Sequence, residues 1–472
     1  MEVLKQGNRI TGVRFADFTV NAKITLDGTE LGDLLALGEI PHRWGWELQS
    51  EWGEPSAPVE FNSLTRKYPV QSPTWVVIMQ DYGTEIAPEV TAAPNYDESS
   101  FVAAWDNYGA EKFMNYGRLP GGLFMINWPF CGNDYGEGVG RLIASAGAKQ
   151  AFIEESDYHS QNFAHFIQKH QGRRYGLAND IFPQPQNLHT AFALHPYYRE
   201  SPRLIGLTTI REQDILPIRG GEVAALHEDA IAVGNYPSDH HYPGIQFPLQ
   251  SKSIRWGGRW TGTPFTIPFR SLIPVETDGL FVCEKNISVS HIANGATRLQ
   301  PVVMGVGQAG GMAAALCTEK NIQPRELQAK ELQIALLEDL RCPMAIIPLF
   351  DLSPQHPQWL YSQRYYLDNL DTYPLNGHCQ NLYSYRHNYG DYSTVLPHSC
   401  QCFIGSFLCI DKQNYRLLIT IPNNLQGISY QLVTLIDNVD MELKTLPHMQ
   451  QRKIYGRLNP AGGWILVKHI DK

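Results

Sequence analysis

Hydrophobic and polar positions alternate through the first 35 residues, which predicts strands near the start of the chain. The run RITGVRFADFTVNAKITLD alternates around Gly12 and Asn21 in the manner of a β-hairpin. The next segment, TELGDLLALGEIP, predicts a turn and a short helix that Pro41 stops. Residues 55–150 are rich in Pro, Gly, Asn and aromatic side chains without a clear period, which predicts long loops.

Helical periodicity is clearest further along the chain. The stretch GVGRLIASAGAKQAFIEESDYHSQNFAHFIQKHQG predicts a long helix with Gly172 at its C-cap. The segments GGMAAALCTEKN and ELQAKELQIALLEDL, the second starting at Glu326, also have helical composition. The short apolar run GLFVCE predicts a buried strand.

The sequence changes character beyond Pro343. Residues 343–398 are crowded with Tyr, Pro and His and predict a connector with one amphipathic helix. Residues 399–472 contain five strand-like segments, and the last two flank the turn signal NPAGG. These segments predict a small, separate β-rich domain; they are QCFIGSFLCI, YRLLITI, SYQLVTLI, QRKIYGRL and GWILVKHI.

Composition narrows the class of protein. With 472 residues, two or three domains are expected, and 43% apolar against 18% charged residues allows a large core. The net charge of −9 argues against nucleic-acid binding by the whole molecule. From Gln401 onward 8 Lys and Arg face 5 Asp and Glu, so a nucleic-acid role for the tail is a minor alternative to a structural or docking role.

Targeting and metal signals are weak in this sequence. It shows neither an apolar leader nor an 18-residue apolar run, so a soluble, cytoplasmic protein without a membrane span is expected. Eight cysteines in so long a chain do not form a disulfide framework. Cys400, Cys402 and Cys409 lie in strand-like sequence, where cysteines are more often buried than ligands. No metal site is predicted.

The segment TDGLFVCEKNISVSHIANGATRLQPVVMGVGQAGGMAAAL contains a G-x-G-x-x-G at Gly305, Gly307 and Gly310. Its context does not support a dinucleotide fingerprint, because the preceding RLQPVVM carries a proline and no second parallel strand follows. We predict instead a small-residue helix that opens at Gly307–Gly311, whose exposed amides favour an anion. Close helix packing by Gly310 and Gly311 is the alternative, and both remain open.

This segment resembles the C-terminal signature of the FAD-dependent oxidoreductases with the two-dinucleotide-binding flavoprotein fold. Their pattern runs IPYRSL-P…-NLLVAG-R-IS-SHIA-G-R-QP-M-GQAAG-AAA, and here IPFRSLIP (Ile267–Pro274) precedes the segment. In family order, LDGTELGDLLALGEIPHRWGWELQSEWGEP is similar to IDATGDGDLAALAGVPYR. YYRESPRLIGLTTIREQDIL is similar to YIRESRRLVGEYTLTEEDI, and IAVGNYPSDHH to IAVGSYPIDIH. The resemblance covers residues 1–330.

The resemblance implies an α/β (α+β) class, with an incomplete FAD/NAD(P)-binding, Rossmann-like three-layer fold over residues 1–342. A substrate region is inserted at about 55–265, and FAD is the implied cofactor. His291 and Arg298 are implied catalytic residues in a loop near the redox face; a loop hydrogen bond and a surface or phosphate charge are their alternatives. The implied cofactor-binding residues are Lys285, Asn286, Gly307, Gln308, Ala309, Gly310 and Gly311.

Two departures from the family pattern matter. Glu284 and Lys285 stand where the family has Gly-Asp or Gly-Arg after the strand. Lys285 can meet a phosphate, but Glu284 would repel a diphosphate unless it turns away. Nothing before Leu26 supplies a strand with G-x-G-x-x-G, so a separate chain is expected to provide this dinucleotide-binding half.

Three functional hypotheses follow. The leading one is an FAD-dependent oxidoreductase acting on a small-molecule substrate that the sequence does not identify. The alternative is a non-catalytic remnant or interaction protein on the same scaffold. A weaker third is a hydrolase or lyase using the run Asp239–His241, although neither G-x-S-x-G nor H-E-x-x-H is present. Arg199, Glu200 and Arg203 predict either substrate clamps or, preferably, an internal ion-pair network.

Overall fold

The computed structural model describes residues 1–471 except for several segments. These are 107–108, 129, 184–189, 219–222, 244–262, 350–351, 353, 355, 376, 378–400, 412–413, 435–436 and 460–463. Much of the predicted connector, the residues PAGG and Cys400 therefore lie outside the described residues. The chain divides into two compact units, Met1–Cys379 and Gln380–Lys472.

The strands of the first unit are short. They are β1 (Glu2–Gln6), β2 (Arg9–Arg14), β3 (Thr19–Asn21), β4 (Thr25–Asp27), β5 (His42–Arg43), β6 (Val77–Asp81), β7 (Arg118–Leu119), β8 (Leu123–Ile126), β9 (Tyr175–Leu177), β10 (Arg203–Leu204), β11 (Ala230–Asn235), β12 (Pro264–Pro268) and β13 (Leu280–Val282).

The helices of the first unit vary more in length. They are α1 (Asp33–Leu37), α2 (Gln49–Trp52), α3 (Ser63–Lys67), α4 (Ala110–Tyr116), α5 (Ala146–Gln171), α6 (His291–Thr297), α7 (Gln300–Lys320), α8 (Ala329–Glu338) and α9 (Trp359–Asp368). The long helix predicted before Gly172 is confirmed as α5, which Ser145 caps through its side-chain oxygen.

The first residues form the predicted hairpin. β1, β2 and β3 make an antiparallel sheet in which Gly12 lies opposite Asn21. The turn between β2 and β3 is closed by the amide of Phe15, which donates to the carbonyl of Phe18 at 2.8 Å. A Cβ at Gly12 would lie 2.1 Å from the carbonyl oxygen of Val20, so the strands approach closely only because this residue is glycine.

The parallel pair β4–β13 forms the base of the candidate site. Phe281 of β13 lies opposite Leu26 of β4, and every residue of β13 is buried. This confirms the buried strand predicted from GLFVCE. The sheet described here has two strands, so the three-layer Rossmann-like arrangement stays a prediction.

Residues 55–150 contain more regular structure than the sequence predicts. Strands β6, β7 and β8 lie there and join β9 in a four-stranded sheet, which the prediction of long loops did not include. Val77, Ile78 and Met79 of β6 are all buried. Because both faces of this strand are covered, it lacks the alternation by which half-exposed strands are recognised. An aromatic core between this sheet and α5 includes Phe124 and Phe163.

Helix α7 is the one helix, among the described residues, that is long and apolar enough to cross a membrane by length and composition. A core helix of a folded protein meets the same two criteria. Here Val306, Ala309 and Ala313 of α7 are buried inside the first unit.

The second unit is a closed five-stranded barrel. Its strands are β14 (Gln401–Asp411), β15 (Asn414–Ile421), β16 (Ser429–Val433), β17 (Gln451–Asn459) and β18 (Trp464–Asp471), with helix α10 (Asp437–Thr445) between β16 and β17. The order is β14-β15-β16-β18-β17, with β16 and β18 parallel. The five predicted strand segments are therefore all present. Inward side chains, Phe407, Leu417 and Ile454 among them, form its core.

Two cysteines of the barrel are placed differently from the prediction. Cys402 and Cys409 are exposed, not buried. Both lie on β14, where Phe403 and Phe407 take the inward positions. Side chains alternate along a strand, so Cys402 lies on the face opposite to Phe403 and Phe407. Cys409 follows Phe407 by two positions, and it lies near the end of the strand where the pairing with β15 shifts register between Cys409 and Asp411.

We expect the barrel to fold on its own. Its apolar core is formed by residues of the barrel itself, and closure pairs β14 with β17. A fragment of residues 399–472 should therefore unfold cooperatively on heating, as followed by circular dichroism. The matched fragment 1–379 should remain soluble. An unfolded barrel fragment together with an aggregating 1–379 would show that the two units share one core.

Candidate functional site

The predicted cofactor-binding glycines lie inside α7 and not at its start. The helix begins at Gln300, and Pro301 occupies its first turn. Proline is favoured there because the first helical amides have no partner to lose. Gly307 therefore lies about two turns into the helix. The prediction that the helix opens at Gly307–Gly311 is wrong, because the helix already begins at Gln300, with the proline of RLQPVVM in its first turn.

Close packing accounts for part of the predicted set. A Cβ at Gly310 would lie 2.9 Å from the Cβ of Cys283, so this glycine lets α7 approach the end of β13. Ala309 is fully buried. The side-chain amide of Gln308 donates to the carbonyl of Cys342 at 2.7 Å. These contacts support the close-packing alternative for Gly310.

Gly307 and Gly311 behave differently from Gly310. A Cβ at Gly311 would meet nothing within 4 Å, and one at Gly307 would come no closer than 3.8 Å, to the carbonyl oxygen of Cys283. The two glycines leave a surface without side chains beside the end of β13. A flat ligand can approach the helix backbone there.

Lys285 follows β13, and two carboxylates take up its charge. Its Nζ donates to Oε1 of Glu284 at 2.7 Å and to Oε1 of Glu30 at 3.1 Å. The Lys285 side chain is 3% exposed, whereas that of Glu30 is 32% exposed. Burial raises the pKa of Glu284, and the charge of Lys285 opposes that shift. The ammonium predicted to meet a phosphate is thus already paired.

Asn286, the other predicted residue of this loop, is fully buried. Its Oδ1 accepts a hydrogen bond from the amide of Glu284 at 3.1 Å, and its Nδ2 donates to the carbonyl of Asp27 at 3.4 Å. Asn286 therefore ties the residues after β13 to the end of β4. Its contacts are structural, and a role in binding stays a prediction.

His291 is the first residue of α6, so its predicted placement in a loop is wrong. The hydroxyl of Ser290 caps this helix by accepting from the amide of Ala293 at 3.0 Å. The His291 ring is fully buried and lies 3.9 Å from the Trp46 ring, measured between centroids. Because α6 has only seven residues, its helical period is too short to be recognised in the sequence.

A continuous chain of hydrogen bonds runs through His291. Its Nδ1 lies 2.9 Å from Oε1 of Glu200, and its Nε2 lies 2.7 Å from the hydroxyl of Tyr242. The same hydroxyl lies 3.1 Å from Nδ1 of His240, whose Nε2 lies 3.0 Å from the carbonyl oxygen of Ile292.

The carbonyl of Ile292 determines the direction of this chain, since a carbonyl oxygen only accepts. With neutral rings, Nε2 of His240 donates to it, the Tyr242 hydroxyl donates to His240, and Nε2 of His291 donates to Tyr242. Nδ1 of His291 must then accept, so Glu200 is the donor and carries a proton. Moving this proton from Glu200 to His291 leaves the net charge of the two residues unchanged.

The pKa shifts agree with this direction. Burial, with Arg203 nearby, lowers the pKa of His291 to about 3. Burial and then the neighbouring His291 lower the pKa of His240 to about 3. Burial raises the pKa of Glu200 to about 7, against the opposing charge of Arg203. Near neutral pH the two rings are therefore neutral, and Glu200, whose pKa lies close to that pH, is protonated in about half of the molecules.

Arg203 is the cation at the centre of this buried region. Its Nη1 lies 2.7 Å from Oε1 of Glu47, and its Nε lies 3.0 Å from Oε1 of Glu200. The guanidinium is fully buried, and it also donates to the carbonyl of Val289 at 3.0 Å. The preferred interpretation of Arg199, Glu200 and Arg203 as an internal ion-pair network is confirmed, because Arg199 likewise pairs with a buried Asp134.

Arg298 follows α6 as its C-cap residue and is not in a loop. Its Nη1 donates to the hydroxyl of Tyr197 at 3.3 Å, and its Nη2 donates to the carbonyl of Asp239 at 3.1 Å. The Tyr197 ring also lies below Nζ of Lys285, 5.9 Å from its centroid. Tyr197 thus connects Arg298 to the loop after β13.

Three buried polar atoms near Arg298 have no hydrogen-bond partner among the described residues. They are Nε of Arg298, Nδ2 of Asn294 and Oε1 of Gln71. Asn294 and Arg298 are four residues apart, so they share one face of α6, and Gln71 donates to Asn294 at 2.9 Å. Unpaired buried polar atoms cost about 1–3 kcal/mol each unless a water or ligand meets them.

The run Asp239–His241 does not form one site. His241 lies between two carboxylates, with Nδ1 2.7 Å from Asp134 and Nε2 3.0 Å from Asp239. His240 points instead toward Tyr242 and Ile292. Within the described residues, no group of three or more His, Cys, Asp or Glu side chains could hold a metal ion. This geometry does not favour the hydrolase or lyase hypothesis.

Several residues of the site were missed from the sequence. Glu47, Glu54, Trp46 and Tyr242 all contribute buried side chains. Burial raises the pKa of Glu54 to about 7, against the hydrogen bond that it accepts from Ser290. The sequence signal for Glu47 and Glu54 is that acidic residues stand among tryptophans in HRWGWELQSEWGEP. This signal is insufficient, because distant segments determine whether those acidic side chains are buried.

A comparison with protein-family models identifies the family of this chain. The family model described as FAD dependent oxidoreductase matches residues 1–336. The chain belongs to this family. Neither the search of curated proteins nor that of solved structures returned a match. The match covers β4, β13 and α7, which confirms the resemblance found in the sequence.

FAD is the cofactor of the FAD-dependent oxidoreductase family, and the structure can be tested for its fit. The open surface at Gly307 and Gly311 suits a flat ring. The loop after β13 suits a diphosphate poorly, because Lys285 already has two carboxylate partners. The residues therefore fit one part of the cofactor and not the other.

Proposed function

We propose that this chain is an FAD-dependent oxidoreductase that places the flavin ring on the glycine surface of α7 and acts on a small-molecule substrate. The surface at Gly307 and Gly311, beside the end of β13, carries the proposal. FAD supplies the electron-transfer chemistry of the family. The same segment holds the motifs by which the chain resembles the family.

The polar residues at the end of α6 suit recognition of the substrate. Among the described residues, Nε of Arg298 has no partner, and Asn294 and Gln71 add a donor and an acceptor without one. A substrate with polar groups would satisfy these atoms and recover the cost of their desolvation. His291 is fully buried and hydrogen-bonded at both nitrogens, so its proposed role is to hold a proton with Glu200 and to position α6.

A strand-and-glycine unit supplied by a separate chain is also part of this proposal. In the described sheet, β4 pairs with β13 alone. Leu26 of β4 is 39% exposed although it is the central residue of the strand. A further parallel strand beside β4 would pair with its other edge, and the side chains of that strand would pack beside Leu26 on the same face of the sheet.

Replacing Gly311 with Phe is expected to lower flavin affinity at least about tenfold while the chain still folds. The added side chain enters open space, and glycine is itself unfavourable inside a helix. Affinity is measured by quenching of flavin fluorescence on titration with FAD, and folding by circular dichroism. Thr318→Phe is the matched control, because Thr318 is exposed on the same helix face about two turns away.

Equal affinities of the wild type and Gly311→Phe would place the flavin elsewhere. A wild type that binds no FAD, even with the family's N-terminal unit added, would overturn the proposed function. The alternative, a non-catalytic remnant or interaction protein, would then be preferred. One observation already favours that alternative: the pairing of Lys285 with Glu30 and Glu284.

A further inference from the structure

The ion-pair cluster after β13 joins two positions that are far apart in sequence. Glu30 lies in the turn after β4 and Glu284 lies just past β13, and both contact Nζ of Lys285. In the family segments quoted above, a glycine stands at each of the two glutamate positions. This chain has thus placed a carboxylate at the end of both parallel strands.

The charges of this cluster oppose a diphosphate. One ammonium faces two carboxylates, so an entering dianion meets no unpaired cation in the cluster. At about 6 Å, one pair of like charges costs roughly 3 kcal/mol at an effective dielectric constant of 20. Lys285 cannot turn to the phosphates without leaving a nearly buried carboxylate unpaired, since Glu284 is only 12% exposed.

The other groups around the cluster do not reverse this balance. His195 has Nδ1 3.5 Å from Oε2 of Glu30, but its side chain is 64% exposed. The Tyr197 ring faces Lys285 without a charge. Asp27 accepts from the hydroxyl of Thr29 at 2.6 Å and adds a further acidic group at the end of β4.

We infer that Glu30 and Glu284 determine flavin selectivity, by weakening the binding of the FAD diphosphate and leaving the binding of the flavin ring unaffected. The inference rests on the proposed function, since it assumes that the ring lies on the glycine surface of α7 and the diphosphate beside Lys285.

The test compares two ligands that share the flavin ring and differ in the adenosine diphosphate part. The full chain and its Glu30→Gln and Glu284→Gln variants are titrated with FAD and with riboflavin, which has the same ring and no phosphate. Glutamine keeps the size of the side chain and an oxygen for Lys285 while removing the charge. Glu89→Gln, at an exposed carboxylate, is the control for net charge. Thermal unfolding verifies that each variant folds.

Each of the Glu30→Gln and Glu284→Gln variants is expected to bind FAD about tenfold more tightly than the wild type does, with the same affinity for riboflavin. The control Glu89→Gln is expected to bind both ligands as the wild type does. Equal FAD affinities for all the proteins would overturn the inference and leave the proposed function standing. Equal gains for FAD and riboflavin would also overturn it, because the carboxylates would then act on the ring. Binding of neither ligand by any protein would overturn the proposed function itself.

Discussion

Replacing Arg203 with Met is expected to destabilise residues 1–379 by about 3–5 kcal/mol, the usual cost of breaking a buried ion pair on one side. Methionine nearly fills the volume, but it leaves the carboxylate of Glu47, 5% exposed, without its cation. The carbonyl of Val289 also loses a donor. The desolvated carboxylate is the main cost, since a charge without a partner is far less stable inside a protein than in water.

Arg14→Met is the matched control for this experiment. Arg14 also pairs with a glutamate at 2.7 Å, but both side chains are more than half exposed. An exposed pair of this kind contributes about 0–1 kcal/mol. Urea unfolding followed by tryptophan fluorescence reports on the first unit, since nine of the ten tryptophans precede residue 380. Equal losses for the two variants would contradict the ion-pair network as a stabilising feature.

Replacing Glu200 with Gln is expected to remove a loss of stability that the wild type shows as the pH rises. The folded-state pKa of Glu200 is raised from its ordinary value of 4.5 to about 7, so between these values the unfolded chain releases a proton that the folded chain keeps. Stability from this group is complete below pH 4.5 and is lost as the pH rises to about 7. The loss is on the order of 3 kcal/mol, at about 1.4 kcal/mol for each pKa unit.

The measurement is the free energy of unfolding of both proteins between pH 5 and 8. The difference between wild type and Glu200→Gln should change between pH 5 and about 7 and level off toward pH 8, whereas Glu89→Gln should run parallel to the wild type. Glu54, whose pKa is also raised to about 7, contributes equally to both curves and cancels. A difference that does not vary with pH would show that Glu200 is an ordinary ionised carboxylate.

The elements that were predicted correctly are those whose start, period and end can all be recognised within one stretch of sequence. Helix α5 has a capping serine, a long apolar period and a terminal glycine in the same stretch of sequence. The barrel strands alternate apolar and polar residues because one face of each is buried. Strand β6 was missed because burial on both faces removes that alternation.

The start of α7 shows where the local reasoning was insufficient. Pro301 argues against a strand before the glycines, but that alone does not reveal a helix, and proline is compatible with a first helical turn. Only the position of β13 shows that Gly310 is needed for packing and that Gly311 is open. Glycines of one pattern therefore have two different roles, close packing at Gly310 and an open surface at Gly311. What distinguishes them is whether another segment of the chain lies against the residue.

The sequence by itself determined the family, the buried strand at GLFVCE, the long helix and the strand segments of the barrel. These follow from motif order and from periodicity, which are properties of neighbouring residues. Only the tertiary structure determines which charged and titratable groups of the site lie next to one another. Lys285 meets Glu30 from 255 positions away, and Glu200 meets His291 from 91 positions away. The pKa of a buried group depends on its desolvation and on the charges around it, and both are determined by segments that only folding brings together.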